Sequence, residues 1–232
     1  TVLSHDSAQT KRLYGVEAVN RWQLKEIYRA LRGADLLISG GGSLLQDVTG
    51  IKSLLYYLGV VWLAVKLKKP VVFYAQGIGP VRTAFGQFLV RKVANRARLI
   101  IVRDEQSAKD LQRMGVDRPP VHVTVDAALG LPCQNIDHRA GREILSRYGI
   151  LSADPGQFFP APGSRSPASR IAGISMRSWP GFSKKGQQAV AQVADWLAGR
   201  GWQVVFLPFH YPDDVAACRD VAALMKKPAL VL

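Results

Sequence analysis

Residues 35–43 read Asp35-Leu36-Leu37-Ile38-Ser39-Gly40-Gly41-Gly42-Ser43, a short apolar strand that runs straight into three glycines. An apolar run without alternation fits a strand buried on both faces, as in a parallel sheet. The glycines let the backbone turn sharply and approach a ligand without Cβ clashes. The pattern recurs twice. Pro70-Val71-Val72-Phe73-Tyr74 leads to Gln76-Gly77-Ile78-Gly79-Pro80, and Arg98-Leu99-Ile100-Ile101-Val102 leads to Arg103-Asp104. Helical stretches separate these strands: Leu54 to Lys68, then a basic one over about Thr83 to Asn95. Asp104 to Met114 follows, closed by Gly115, and Val121 to Val125 is the next strand. Strands divided by helices imply βαβ crossovers and a parallel sheet with helices on both faces.

Outward from this block, Val2-Leu3-Ser4 reads as a strand. Trp22 to Leu31 reads as an amphipathic helix with Trp22, Ile27 and Leu31 toward one side, ended by Gly33. Between Ala153 and Ser169 the residues Pro155, Gly156, Pro160, Pro162, Gly163, Ser164, Ser166 and Pro167 crowd together, the composition of a linker or exposed loop. Alternation then restarts, with a strand at Ile171–Met176, a helix within Gly186–Gly201, a strand at Val204–Leu207, a helix at Asp213–Met225 and a strand opening at Ala229. The expected fold class is α/β, with two Rossmann-like doubly wound parallel-sheet domains at 1–152 and 170–232 joined by 153–169. The first lacks an opening βα unit and the second stops within its pattern, so both are expected to be incomplete.

Composition narrows the function. The chain of 232 residues is 48% hydrophobic with a mean hydropathy of +0.03, as in ordinary globular proteins. Its longest apolar stretch, Leu54 to Val65, is shorter than the roughly 20 residues of a transmembrane helix and reads as a buried helix. Thr1 to Asp6 lacks the charged and apolar regions of a signal peptide. Cys133 and Cys218 match no zinc or redox spacing and suit a reducing cytoplasm, and the four histidines form no ligand pattern, so no metal or cofactor is expected. The net charge of +14 predicts attraction to polyanions. The cations are spread, as in Arg82, Arg91, Lys92, Arg96, Arg98, Lys184 and Lys185, and no nucleic-acid motif accompanies them. That favours an anionic substrate at a membrane surface over nucleic acid; a solvated basic face with no partner is the plainer alternative.

Ligands of open parallel sheets sit beyond the carboxyl ends of the strands. Three segments place unusual residues there. In Gly40-Gly41-Gly42-Ser43-Leu44-Leu45-Gln46-Asp47, a helix beginning near Ser43 would aim free N–H groups at an anion, and Gln46 and Asp47 suit sugar hydroxyls; a tight turn without ligand would look similar. Neither the dinucleotide fingerprint nor a Walker lysine is present. In the second segment, Gln76, Gly77 and Gly79 adjoin the expected cleft. In the third, Arg103 can bind a carboxylate or phosphate bidentately, or pair with Asp104, Glu105 or Asp126, while Asp104 and Ser107 suit a helix N-terminus.

Taken together, these runs resemble the polysaccharide pyruvyl transferase family, most closely its CsaB-type cell-wall branch. The family pattern is G-G-G-S-L-x-Q-D, then G-Q-G-[IV]-G-P, then R-D-x-x-S-x-x-x-L-x-x-x-G. Ala75 departs from it, standing where the family commonly has glycine. The resemblance covers residue 1 to about Leu131 and resumes at Gly173-Ile174-Ser175-Met176-Arg177. It implies a GT-B-like fold with the active site between domains, phosphoenolpyruvate as donor, and a hexosamine of a lipid-linked wall-polymer precursor as acceptor. The product would be a 4,6-linked pyruvate ketal, which in S-layer bacteria anchors surface proteins. By motif, Arg103 resembles a donor-binding arginine and Arg177 the strand-end arginine of the second domain. Candidate catalytic groups are Arg103, Asp47 as a base and His210; the binding set is Gly40, Gly41, Gly42, Ser43, Gln46, Asp47, Gln76, Gly77, Gly79, Arg103, Ser107 and Arg177. The family's N-terminal glycine-rich segment and its Arg-Leu-His motif have no counterpart in these residues, so the chain alone is expected to be inactive. A cytoplasmic enzyme, peripheral on the inner membrane face and compatible with a homo-oligomer, is the resulting expectation. A nucleotide-sugar glycosyltransferase of GT-B type and an inactive sugar-binding relative are the alternatives.

Overall fold

The computed structural model describes residues 1–48, 50–132, 137–150, 170–178 and 182–232. They divide into two units, Thr1–Gln134 and Asn135–Leu232. The first runs β1 (Val2–Ser4), α1 (Ser7–Tyr14), β2 (Ala18–Asn20), α2 (Leu24–Gly33), β3 (Leu37–Gly40), α3 (Ile51–Lys66), β4 (Val71–Gln76), α4 (Ala84–Ala94), β5 (Leu99–Val102), α5 (Glu105–Arg113) and β6 (Val121–Val123). Every strand pairing is parallel. Four strands form one sheet in the order β3-β4-β5-β6, while β1 and β2 pair separately. A cavity of about 970 Å³, lined by Val2, Leu3 and Leu36–Gly40 among others, adjoins both β1 and β3.

The core is built from the apolar strands, through Val71, Phe73, Ile100 and Val102, against helix stripes such as Ile27 and Leu31 of α2. Burying each such side chain contributes on the order of 1.5–3 kcal/mol before chain entropy is subtracted. Local signals set the helix ends: Asp6, Thr83 and Asp104 each cap a helix by accepting a backbone N–H three residues on.

Two sequence expectations change here. Helix α3 buries only one face, with Leu54, Leu58, Val61 and Ala64 inward and Leu55 and Trp62 exposed; a helix lying against one sheet face needs only one apolar stripe. Trp22 precedes α2 and is exposed; its ring lies beneath the Arg21 guanidinium at 4.6 Å and beside Tyr56 at 5.2 Å. Elements α1 and β2 were not anticipated, being too short to show periodicity.

The second unit contains α6 (His138–Arg147), β7 (Arg170–Met176), α7 (Lys184–Ala198), β8 (Trp202–Pro208), α8 (Asp213–Ala223) and β9 (Leu230–Val231), with a parallel sheet ordered β7-β8-β9. Phe206, Ala194, Cys218 and Val221 form the core beneath α7 and α8. Val205 packs with Ile150, and Leu145 joins them, so α6 belongs to this unit although the sequence reading had carried the first domain to residue 152. Cys218 is a buried thiol, and burial pushes its pKa up. The linker at 153–169 and Cys133 lie outside the described residues. Among those described, no helix is long and apolar enough to cross a membrane, and no cluster of metal-ligating residues occurs.

Candidate functional site

The three segments singled out in the sequence follow β3, β4 and β5, three adjacent strands of one sheet. The segments after β3 and β4 continue to run side by side beyond the strands. The Gly41 N–H donates to the Tyr74 carbonyl at 2.9 Å, that of Gly77 to Gly42 at 2.8 Å, and that of Gly79 to Leu45 at 2.8 Å. Leu45 and Ile78 form an isolated parallel bridge and both are buried. The condition of a helix beginning near Ser43 is not met, because Leu45 is drawn into this extended pairing; α3 begins at Ile51.

Gly41 and Gly42 have φ of 44° and 70°, a region costly for residues with a Cβ. Gly77 is needed for a different reason. A Cβ there would stand 2.8 Å from Nε and Nη2 of Arg103 and 2.9 Å from its Cζ, so the guanidinium lies directly on the glycine backbone. Arg103 Nη1 donates to Asp126 Oδ2 at 2.9 Å and Nη2 to Ser43 Oγ at 3.1 Å, while Nε is 3.8 Å from Asp104. One third of the side chain is exposed. Asp126 accepts the Ala128 N–H as well; that bond first, and Arg103 second, hold its carboxyl below the usual range. Ser43, Arg103 and Gly77 thus come together from three strand ends.

Other predicted site residues are occupied structurally. Gln76 is fully buried and does not reach ligand space: its Nε2 donates to the Ser39 carbonyl at 2.7 Å and hydroxyl at 2.8 Å, and its Oε1 is buried without a partner among the described residues. The buried Ser107 hydroxyl accepts the Ile78 N–H at 2.8 Å, and its own N–H goes to Asp104, so Ser107 positions the glycine loop. Gln46 Oε1 accepts the Val48 N–H at 2.7 Å. Asp47 receives the N–H groups of Arg82 and Thr83 at 2.9 Å and the Thr83 hydroxyl at 3.0 Å. Partial burial raises its pKa, but these bonds more than offset that and hold it below the usual value. A carboxylate so occupied is a poor general base; Asp47 instead ties the β3 segment to the start of α4. Gly40 ends β3, and Gly79, with φ of 77°, leads into Pro80.

In the second unit, Arg177 follows β7 and is exposed, and His210 follows β8 with its Nδ1 3.9 Å from Asp213. The residue that joins these loops, Asp214, looks in sequence like an ordinary acidic residue of a helix start. Asp214 is buried and accepts the Ser178 N–H at 2.9 Å and the His210 N–H at 2.8 Å. The Ser178 bond leads the causes that keep its carboxyl below the usual range. Nothing local marks it, since acidic residues are favourable in any first helical turn.

The family model described as polysaccharide pyruvyl transferase matches residues 1–231. No curated protein matches the chain. Among solved structures, a Staphylococcus aureus MnaA–UDP co-structure matches with a TM-score of 0.51 at 13% identity, over 89% of this chain and 52% of that one. A putative UDP-N-acetylglucosamine 2-epimerase from Listeria monocytogenes matches with a TM-score of 0.51 at 13% identity, over 96% of this chain and 57% of the other. The chain thus spans about half the length of the solved structures it resembles. At that identity the likeness bears on fold alone, and it agrees with the α/β, Rossmann-like, GT-B-type class expected from the sequence.

Proposed function

Because the chain belongs to the polysaccharide pyruvyl transferase family, we propose that it forms part of an enzyme that transfers the pyruvyl group of phosphoenolpyruvate to a hexosamine of a lipid-linked cell-wall polysaccharide precursor. The observation that carries this reading is the Arg103 guanidinium, laid on Gly77 and steadied by Ser43 and Asp126 at the carboxyl ends of β3, β4 and β5. A guanidinium has five N–H donors. Two of its nitrogens are engaged in the bonds above, so the fork is held in place and N–H groups remain for an anionic ligand.

Ketal formation from an enol phosphate begins with protonation of the methylene carbon, leaving a cation at the adjacent carbon for one acceptor hydroxyl to attack. The second hydroxyl then forms the other C–O bond as phosphate departs, and both hydroxyl protons pass to base. Fixed cations that hold the carboxylate and phosphate act where charge develops. Arg103 takes that part in the first unit, with Gly41, Gly42 and Gly77 as a floor on which Cβ atoms would intrude or strain the turn. Arg177 is proposed as a substrate-binding cation of the second unit, with His210 as a candidate acid on the neighbouring loop. Asp47 is not proposed as the base, because its oxygens are already bonded.

The test is ligand titration followed by amide NMR. Phosphoenolpyruvate is expected to shift the Gly41, Gly42 and Gly77 signals, and Arg103→Gln to weaken that binding about tenfold or more. Shifts produced by UDP-N-acetylglucosamine but not by phosphoenolpyruvate would sink the reading in favour of nucleotide-sugar chemistry. Phosphate release from phosphoenolpyruvate on addition of a hexosamine-bearing lipid acceptor, by the complete enzyme of which the chain forms part, is the corresponding activity readout.

A further inference from the structure

From Val48 to Arg103 the sequence contains no aspartate or glutamate, although the whole chain has 17, and it carries ten lysines and arginines. This stretch builds α3 and α4, which pack together and connect β3 to β4 and β4 to β5. Successive right-handed crossovers that advance the same way across a sheet lie on one face of it. The outward sides of the two helices therefore form one surface. It is apolar as well as basic: Leu55 is 41% exposed, Trp62 52%, Phe85 59% and Phe88 54%. Lys66 Nζ sits 5.1 Å from the Trp62 ring centroid and Lys92 Nζ 5.4 Å from that of Phe88. At the carboxyl end of α4, Phe88, Lys92, Arg91, Arg96 and Arg118 line a shallow hollow of about 190 Å³.

We propose that the α3–α4 face is a peripheral docking surface for an anionic phospholipid bilayer. The Trp62 indole suits the headgroup region, where an apolar body and a polar N–H are both accommodated, and Phe85 and Phe88 supply apolar anchors to the acyl boundary. Cations near an anionic leaflet each strengthen the attraction about fivefold. Helices α3 and α4 carry no acidic side chain of their own to oppose this attraction, the neighbouring acids being Glu105 and Asp110 of α5 and Asp117 beside Arg118, and interfacial aromatics combined with cations supply the two contributions that reversible membrane binding needs. The face adjoins the candidate site, since α4 starts at the Thr83 cap whose N–H and hydroxyl hold Asp47. A lipid-borne substrate would thus be met near the glycine loops. The inference stands on charge and exposure and is independent of the pyruvyl-transfer reading.

Co-sedimentation of the 232-residue chain with vesicles decides it. Binding is expected to vesicles of phosphatidylcholine mixed with phosphatidylglycerol, weakly or not at all to phosphatidylcholine alone, and to fall as salt rises. The double variant Arg91→Gln/Lys92→Gln should lower partitioning about 10- to 30-fold, and Phe85→Ser/Phe88→Ser about tenfold. Lys184→Gln/Lys185→Gln on α7 should change it less than about twofold if binding is local. Far-UV circular dichroism checks that each variant is folded. Equal binding to both vesicle types, or equal loss from the α7 variant, overturns the proposal. So does a duplex DNA fragment that binds as tightly as the vesicles and is lost with the same α4 substitutions, which would make the face a general polyanion surface.

Discussion

The strand-end loops of the two units are held in opposite ways. In the first, three loops are cross-tied by many short bonds: glycine amides to neighbouring carbonyls, Ser107 to Ile78, Asp47 to Arg82 and Thr83, and Arg103 to Ser43 and Asp126. In the second, two loops bearing Arg177 and His210 converge on the single carboxylate of Asp214. A cross-tied site presents its cation in a fixed place before any ligand arrives, which is what electrostatic preorganisation requires. Around Asp214 the side chains of Arg177 and His210 are exposed.

The largest expected effect breaks the first arrangement at its tightest point. Gly77→Ala puts a methyl group where the Arg103 guanidinium lies. The flexible arginine should swing away, weakening phosphoenolpyruvate binding about 100-fold as titration measures it, while the melting temperature falls only modestly. Unchanged affinity would mean that the seat of Arg103 on Gly77 is incidental. Next, Ser107→Ala leaves the buried Ile78 N–H without its acceptor and should cost about 1–3 kcal/mol in chemical denaturation; faster hydrogen exchange at Ile78 would localise the loss.

A third experiment probes the Asp214 junction of the second unit through acid. The Asp214 carboxyl is held below its ordinary value of 3.8 in the folded chain. A depressed folded pKa means that its stabilisation is fully present above the unfolded pKa and is lost as pH falls through the folded value. The second unit should therefore weaken below about pH 4. Asp214→Asn should be less stable at neutral pH and show a flatter acid dependence, both readable in thermal melts across pH. A variant with the wild-type acid slope would remove Asp214 as the anchor. The smallest effect is expected at Ala75, whose φ of 51° falls where glycine is unstrained. Relief of that strain in Ala75→Gly is opposed by loss of a buried methyl group and by greater chain entropy, so stability should stay within about 1 kcal/mol.

What was legible in the sequence follows from how local each signal is. The order of strands and helices was readable because apolar runs, capping residues and glycine stops act within a few positions. Asp104 was readable as a helix start for that reason. The departure at Ala75 could be noted from the motif, but its left-handed conformation could not. Arg103 was identified by its place at a strand end, whereas its seat on Gly77 depends on two strands brought together by the sheet. Gln76 and Asp47 stand next to glycine runs and Ser107 follows a strand-end arginine, which makes all three look ligand-facing in sequence; each instead satisfies backbone groups of a neighbouring segment 29 to 37 positions away. Asp214 was passed over because its partners, at Ser178 and His210, belong to loops that meet only in the folded unit.

The Leu45–Ile78 bridge has a mechanical consequence. The ladder between β3 and β4 does not end with the strands but resumes after the turn, from Gly41 as far as Gly79. The two glycine runs are therefore a single leaf rather than two hinges. Gly42 is joined through the Gly77 amide to the backbone on which Arg103 lies, so a substitution that displaces one run should displace the seat of the cation with it.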